Sequence, residues 1–444
     1  MVVMASTCDP RIDVFPALHK HFGHQTFRPG QEQVVSAVLD GQDVLAVMPT
    51  GSGKSLGYQL PAVILPGTTL VVSPLISLMK DQVDELNRRG ISSGALHSML
   101  SASARRDVWR AAATGALRLL YVAPERFASD QFLTLLCQLT VARFVIDEAH
   151  CISQWGHDFR PDYRRLKAAA ASCRSSDGRP RPPIAAFTAT ATAEVRTDVV
   201  SLLGLESPRV VVAGFDRPNI FLRVLPVLAE EQKHRWLPRL VKGRRALVYA
   251  ATRRTTEAAA ETLKQAGVTC AAYHAGMKDD VRTKVQDAFA NGSLPVVCAT
   301  NAFGMGIDRP DVDAVVHFAI PGSVEAYYQE VGRAGRDGRN AVATLLWDYD
   351  DVSTRRFLID SPTRQKPGRP AVDPEEMARR KQLEHQKLQL MVDYAQCSGC
   401  LRGAILRYFG DPAVKERCGS CGNCARRRTP PSHRTATWTG SRSL

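Results

Sequence analysis

The 444-residue chain is expected to be an α/β protein: two tandem parallel-sheet domains followed by a small helical module that carries cysteines. Three observations predict this. Short runs that are apolar on both faces alternate with helical patterns, as strands of a buried parallel sheet do. A phosphate-loop sequence and a pair of adjacent carboxylates each follow one of those runs. Four cysteines gather near the end, Cys400 within the second of two helix-like stretches and Cys418, Cys421 and Cys424 beyond it.

Length and composition agree. A chain this long exceeds one ordinary core, and 44% hydrophobic with 23% charged residues describes a globular protein. No apolar run reaches the roughly 18 residues of a membrane span, and Met1–Pro10 does not read as a signal peptide. A cytoplasmic protein is therefore expected, nucleoid-associated if bacterial, with no membrane partner. The net charge is +14, and Ser361–Leu444 holds 16 Lys/Arg against 7 Asp/Glu. A basic end on a basic protein favours a polyanion, most simply nucleic acid. Cys8, Cys137, Cys151, Cys173, Cys270 and Cys298 stand singly, as reduced thiols do.

The first domain, residues 1–213, carries the runs Val44–Met48, Thr69–Ser73, Leu117–Val122, Phe144–Ile146, Ile184–Thr188 and Val210–Ala213. Arg174–Pro183 reads as a Pro-rich surface loop. Gly214-Phe215-Asp216-Arg217-Pro218-Asn219 joins it to the second domain, 214–360, with runs at Ala246–Ala250, Thr269–Tyr273, Pro295–Ala299, Ala314–Phe318 and Ala343–Trp347. A break rich in Pro, Lys and Arg opens the module 361–424. There Leu383, Leu390, Met391 and Tyr394 share one helix face, and Leu401, Ile405, Tyr408 and Phe409 another. Residues 425–444 lack periodicity and are expected to form a basic, disordered tail.

Pro49-Thr50-Gly51-Ser52-Gly53-Lys54-Ser55 lies between a strand run and a helical segment. A loop so placed turns consecutive N–H groups toward a phosphate at a helix N-terminus. Thr50, Gly51, Ser52 and Gly53 would cradle ATP, Lys54 would reach its β- and γ-phosphates, and the Ser55 hydroxyl would ligate Mg²⁺. A GKS tripeptide alone is more often a surface turn, and Met48 stands where the strict pattern has Gly; the strand–loop–helix context carries the reading. Asp147 would hold the hydrated Mg²⁺ and Glu148 would orient the attacking water. Far downstream, the segment from Gln329 to Gly338 supplies Gln329, Arg333 and Arg336. Across an interdomain cleft the two arginines would act on the γ-phosphate; on an isolated loop they would only be solvated.

Asp147-Glu148-Ala149-His150 runs straight into Cys151–Pro161. Trp155 and Phe159, at i and i+4, would suit a buried helix face. Gly156 and Pro161 favour a loop instead, with the rings free to stack on bases beside His157 and Arg160. At the far end, Cys400 with Cys418-x2-Cys421-x2-Cys424 suits tetrahedral Zn²⁺. Cys397 rivals Cys400 as first ligand. An iron–sulfur cluster is the rival cofactor, although its x3-C-P continuation is replaced here by Ala425-Arg426-Arg427-Arg428.

Over roughly residues 18 to 424 the chain resembles the RecQ family of superfamily 2 DNA helicases. Phe27–Gln31 resembles motif 0, implying that Arg28 and Gln31 recognise adenine. Ser73–Gln82 resembles motif Ia and Tyr121–Arg126 motif Ib, both implied to touch DNA, Ser73 included. Thr188-Ala189-Thr190 resembles motif III, Ala299–Asp308 motif V, and Tyr327–Gly338 motif VI. Trp155–Phe159 resembles the family's aromatic-rich loop, and CLRGAILRYFG with CGSCGNC its zinc module. The resemblance implies two RecA-like lobes and ATP-dependent 3′→5′ translocation on single-stranded DNA. It further implies duplex unwinding in repair and recombination, with tailed or forked DNA as substrate. A monomer is expected, with a single-stranded-DNA-binding or repair protein as partner. Two motifs depart: His24 stands where an aromatic often stacks on adenine, and Tyr249–Arg253 lacks the usual motif IV residues. The winged-helix and HRDC domains of long members are not expected after Cys424. Rival readings are a DNA-dependent translocase or a strand-annealing protein that unwinds weakly. The QWGHDFRP sequence disfavours an RNA helicase.

Overall fold

The computed structural model describes residues 13–156, 158–303, 309–361 and 373–426. The first sheet contains Val44–Val47 (β1), Thr68–Val72 (β2), Ser93–Leu96 (β3), Leu119–Val122 (β4), Thr140–Ile146 (β5), Arg174–Ser175 (β6), Ile184–Thr188 (β7) and Arg209–Val212 (β8). Its order is β3-β4-β2-β5-β7-β1-β8, with β6 added beside β5. The second contains Ile220–Pro226 (β9), Ala246–Tyr249 (β10), Cys270–Tyr273 (β11), Val296–Ala299 (β12), Ala314–His317 (β13) and Ala341–Trp347 (β14), in the order β11-β12-β10-β13-β14-β9. Neighbours pair in parallel in both sheets.

The central strands are buried on both faces, as helices packed on each side of a parallel sheet require. That expectation fails at β8, where Val210 and Val212 are exposed because the strand borders the sheet and pairs only with β1. β9 carried no such apolar run. Its residues alternate between buried and partly exposed, because it too closes an edge.

After β8 the chain crosses at Gly214–Asn219 to begin the second lobe. The C-terminal module consists of helices Pro374–Ala395, Leu401–Tyr408 and Gly422–Arg426. It rests on the second lobe: Cys421 bridges Leu222 of β9, and the Tyr408 hydroxyl donates to Glu325 at 2.5 Å. Three expectations are corrected here. Leu390 faces solvent, its place on the buried face taken by Leu388. Cys400 precedes the second helix and caps it, its sulfur accepting from the Gly403 N–H. Ala425 and Arg426 are helical, so they are not part of a disordered tail; residues 427–444 lie outside the described residues. Among the described residues no helix is long and apolar enough to cross a membrane.

Candidate active site

Parallel sheets present their strand C-termini to ligands at the point where strand order reverses. β1 ends there in the phosphate loop. Gly51 and Gly53 adopt φ 82° and 79°, a left-handed backbone that glycine enters without steric cost. A Cβ on Gly53 would also stand 2.6 Å from the Gln31 amide nitrogen. Ser55 leads into the helix Leu56–Ile64, directing that N-terminus at the loop. Arg28 and Gln31, implied to read adenine, are turned onto this loop. Arg28 donates to the Gly51 carbonyl at 2.6 Å, and Gln31 donates to Ser52 and Gly53 carbonyls at 3.0 and 3.1 Å. Their polar groups brace the loop's shape in this conformation.

β5 ends at Asp147, which is buried. Burial first, and the Glu148 charge second, push its carboxyl up to about 7, while Lys54 pulls the other way. A buried acid short of positive charge is the situation that a divalent cation relieves, so this group fits Mg²⁺ beside Lys54 and Ser55. Glu148 follows at φ 48°, ψ 47°, a left-handed conformation costing a non-glycine residue about 1–3 kcal/mol. His150 Nδ1 lies 3.3 Å from the Glu148 carboxylate and 2.9 Å from Thr188 Oγ1. The Thr188 hydroxyl also lies 3.1 Å from the Thr190 carbonyl. The acidic pair at the end of β5 is thereby connected to the end of β7.

The second lobe meets this loop directly. A Cβ on Gly51 would lie 3.2 Å from Arg336 Cγ, and one on Gly332 would lie 3.4 Å from Thr50 Cβ. The stem of Arg336 thus packs against the phosphate loop. Arg333 is buried, and both Arg333 and Arg336 act on Tyr249 of β10. Gln329 lies half-buried on the helix Val324–Val331. Arg217 was not singled out from the sequence. Its guanidinium donates to Thr50 of the loop at 3.0 Å and to Gly332, Ala334 and Gly335 of the opposite lobe at 3.3, 3.0 and 2.9 Å. The only sequence signal was its place in the interdomain junction.

Beyond Glu148, Ala149–Ile152 and Pro161–Arg165 form two separate short helical turns. Trp155 is 40% exposed. Phe159 is not free: the Arg164 and Arg380 guanidinia lie 5.1 and 5.8 Å from its ring centroid. Arg160 pairs with Asp158 at 2.8 Å and donates to the Pro74 carbonyl. Ser73 is corrected as a direct DNA contact, because it is 1% exposed at the end of β2. His157 lies outside the described residues, as do Gly304–Asp308 of motif V. The loop is also held from the C-terminal module. The buried Lys387 ammonium donates to the Gln154 and Gly156 carbonyls at 3.1 and 2.8 Å. Any side chain at Gly156 would collide with the His150 and Ser153 carbonyls.

The sulfurs of Cys400, Cys418, Cys421 and Cys424 all lie within 4.8 Å of one another. Zinc–sulfur bonds of about 2.3 Å in a tetrahedron separate sulfurs by about 3.8 Å, so the four fit Zn²⁺. Gly403 and Cys418 N–H groups donate to Cys400 Sγ, and Ser420 N–H to Cys418 Sγ, which favours thiolates. Cys397 is outside the cluster. Cys397→Ser should therefore leave one zinc per chain by atomic emission; loss of the metal would assign that thiol to the site.

The DEAD/DEAH box helicase model matches residues 28–199, the helicase conserved C-terminal domain 232–338, and the RecQ zinc-binding model 349–425. The ATP-dependent DNA helicase RecQ of Pasteurella multocida (strain Pm70) is 43% identical over 411 residues, 92% of this chain and 61% of that protein. The probable ATP-dependent DNA helicase RecS of Bacillus subtilis (strain 168) is 41% identical over 346 residues, 77% of this chain and 68% of that protein. Among solved structures, the DUF1998 helicase MrfA bound to DNA and AMPPNP shares the fold. Its TM-score is 0.62 at 22% identity, covering 86% of this chain and 57% of that one. The chain spans about three fifths of the length of the Pasteurella relative.

Proposed function

The chain belongs to the RecQ family of helicases, and from that membership we propose that it hydrolyses ATP between its lobes to drive 3′→5′ movement on single-stranded DNA. Strand separation in DNA repair and recombination is the expected output, with tailed or forked DNA as substrate and the nucleoid as its place in a bacterial cell. Lys54 contacts the β- and γ-phosphates, Ser55 and Asp147 hold Mg²⁺, and Glu148 takes the proton of the attacking water. Arg336 brings positive charge from the second lobe to the γ-phosphate. When bound, the metal neutralises charge on the phosphates.

One observation carries the coupling to DNA. The strained Glu148 backbone is continuous with the loop bearing Trp155, and His150 joins it to Thr188. A base stacking on Trp155 would shift a segment whose other end is the catalytic acid. Trp155→Ala should preserve ATP-analogue binding and reduce DNA-stimulated hydrolysis about tenfold; unchanged stimulation would refute the sensor role. The function is tested by strand displacement with ATP on a 3′-tailed duplex, beside a blunt and an RNA duplex. Displacement confined to the tailed DNA supports the helicase reading. ATP hydrolysis without displacement would leave a translocase.

A further inference from the structure

The junction Gly214–Asn219 does more than connect the sheets. Arg217 projects from it into the gap between the lobes, where its guanidinium forms the four hydrogen bonds already described, one to the phosphate loop and three to the turn Gly332–Gly335. All four acceptors are carbonyls, arranged around a planar fork of donors that Lys cannot reproduce. That turn contains Arg333 and leads directly into Arg336, so its backbone sets where the second lobe's positive charge arrives. A shift of an ångström there is enough to cost much of the rate in a reaction that depends on positioning.

The junction itself is gripped from behind by the C-terminal module. Arg402, two residues after Cys400, is buried. It donates to the Asp216 carboxylate at 2.7 Å and to the Arg217 and Ile220 carbonyls at 2.6 and 2.7 Å. The Phe215 N–H donates to Asp411 at 2.6 Å, the Phe215 ring stacks on Phe409 at 4.5 Å, and the Phe215 carbonyl accepts from Tyr328 at 2.9 Å. A continuous set of contacts thus runs from the cysteine cluster through Arg402 and the junction to both sides of the ATP site.

We propose that Arg217 is a positioning residue for ATP hydrolysis, registering the Thr50 loop against the turn that delivers Arg336, and that Arg402 fixes Arg217 from the cysteine module. The module would then set the hydrolytic rate even without touching nucleotide. This rests on the reading of the cleft as an ATPase site and adds to it a residue and a route.

The test compares Arg217→Gln, Arg217→Lys, Asp216→Asn and Arg402→Gln with the wild type in the full chain. Steady-state hydrolysis is measured with saturating single-stranded DNA, together with binding of a non-hydrolysable ATP analogue, binding of ADP–aluminium fluoride, and zinc content. Arg217→Gln should lower kcat at least tenfold while analogue affinity changes less than threefold, and should weaken ADP–aluminium fluoride in proportion to kcat. Arg217→Lys should recover only part of the rate. Asp216→Asn, which removes a single half-exposed partner of Arg402, should give a smaller kcat loss of about threefold with one zinc retained; Arg402→Gln should extend it if it folds. Wild-type kcat in Arg217→Gln would overturn the proposal. So would an equal loss of analogue affinity and rate, which would mean that Arg217 merely supports the loop. A wild-type kcat in Asp216→Asn and Arg402→Gln would remove the route from the module. A wild-type protein without DNA-dependent ATP hydrolysis would instead defeat the ATPase reading.

Discussion

Lys54→Ala should lower ATP hydrolysis by on the order of 10³-fold, measured as phosphate release with saturating single-stranded DNA. The expected loss is chemical rather than structural. Lys54 is half-buried after the left-handed Gly53, and its charge is the one that opposes the upward push on the Asp147 carboxyl. Without it, the phosphates would lose a contact and the neighbouring acid would lose its compensating cation. Because Lys54 is only half-buried in a loop and the Asp147 carboxyl can take up a proton instead, a thermal melt should stay close to that of the wild type. Full residual hydrolysis would place the nucleotide elsewhere in the molecule.

The second large effect is expected at the cysteines. Cys421→Ser removes one of four converging sulfurs at a fully buried position. Structural zinc in small modules binds with an apparent free energy of about 10–16 kcal/mol, and here the metal would tie Cys418, Cys421 and Cys424 to Cys400 at the start of the helix Leu401–Tyr408. The variant should lose its zinc and melt in two stages, the C-terminal module first, as followed by circular dichroism and atomic emission. Hydrolysis should fall with it, because Arg402 would release the junction. A variant that keeps one zinc per chain and a single wild-type transition would refute the assignment.

Much of this site was legible in local sequence because its chemistry is local. A phosphate loop works through consecutive backbone groups, so Gly51, Gly53, Lys54 and Ser55 must be neighbours in the chain. Asp147 and Glu148 follow a buried strand for the same reason, since the C-terminal edge of a parallel sheet is where ligands bind. The Cys-x2-Cys spacing likewise reflects a turn tight enough to bring sulfurs to one ion. Edge strands were harder to read. β8 is apolar yet exposed and β9 alternates, because burial at an edge depends on what else lies beside it.

Side-chain partners over long separations were not legible. Ser73 sits in a DNA-implied motif but is buried, because the motif begins immediately after the core strand β2. Phe159 lies in an aromatic loop but between two guanidinia, one of which comes from residue 380. Arg217 looked like one more charge in a linker until folding placed carbonyls of both lobes around it.

The sequence by itself determined the two parallel-sheet lobes, the phosphate loop with its acidic pair, and the three sulfurs of Cys418, Cys421 and Cys424, since each depends on residue type at short spacing. Only the tertiary structure decided that the Arg336 stem packs on Gly51 of the loop, that Cys400 rather than Cys397 completes the cluster, and that Arg217 binds both lobes. Those outcomes depend on which backbone carbonyls and side chains converge from distant segments, and hydrogen bonds act over about 3 Å, a distance that spacing along the chain does not encode.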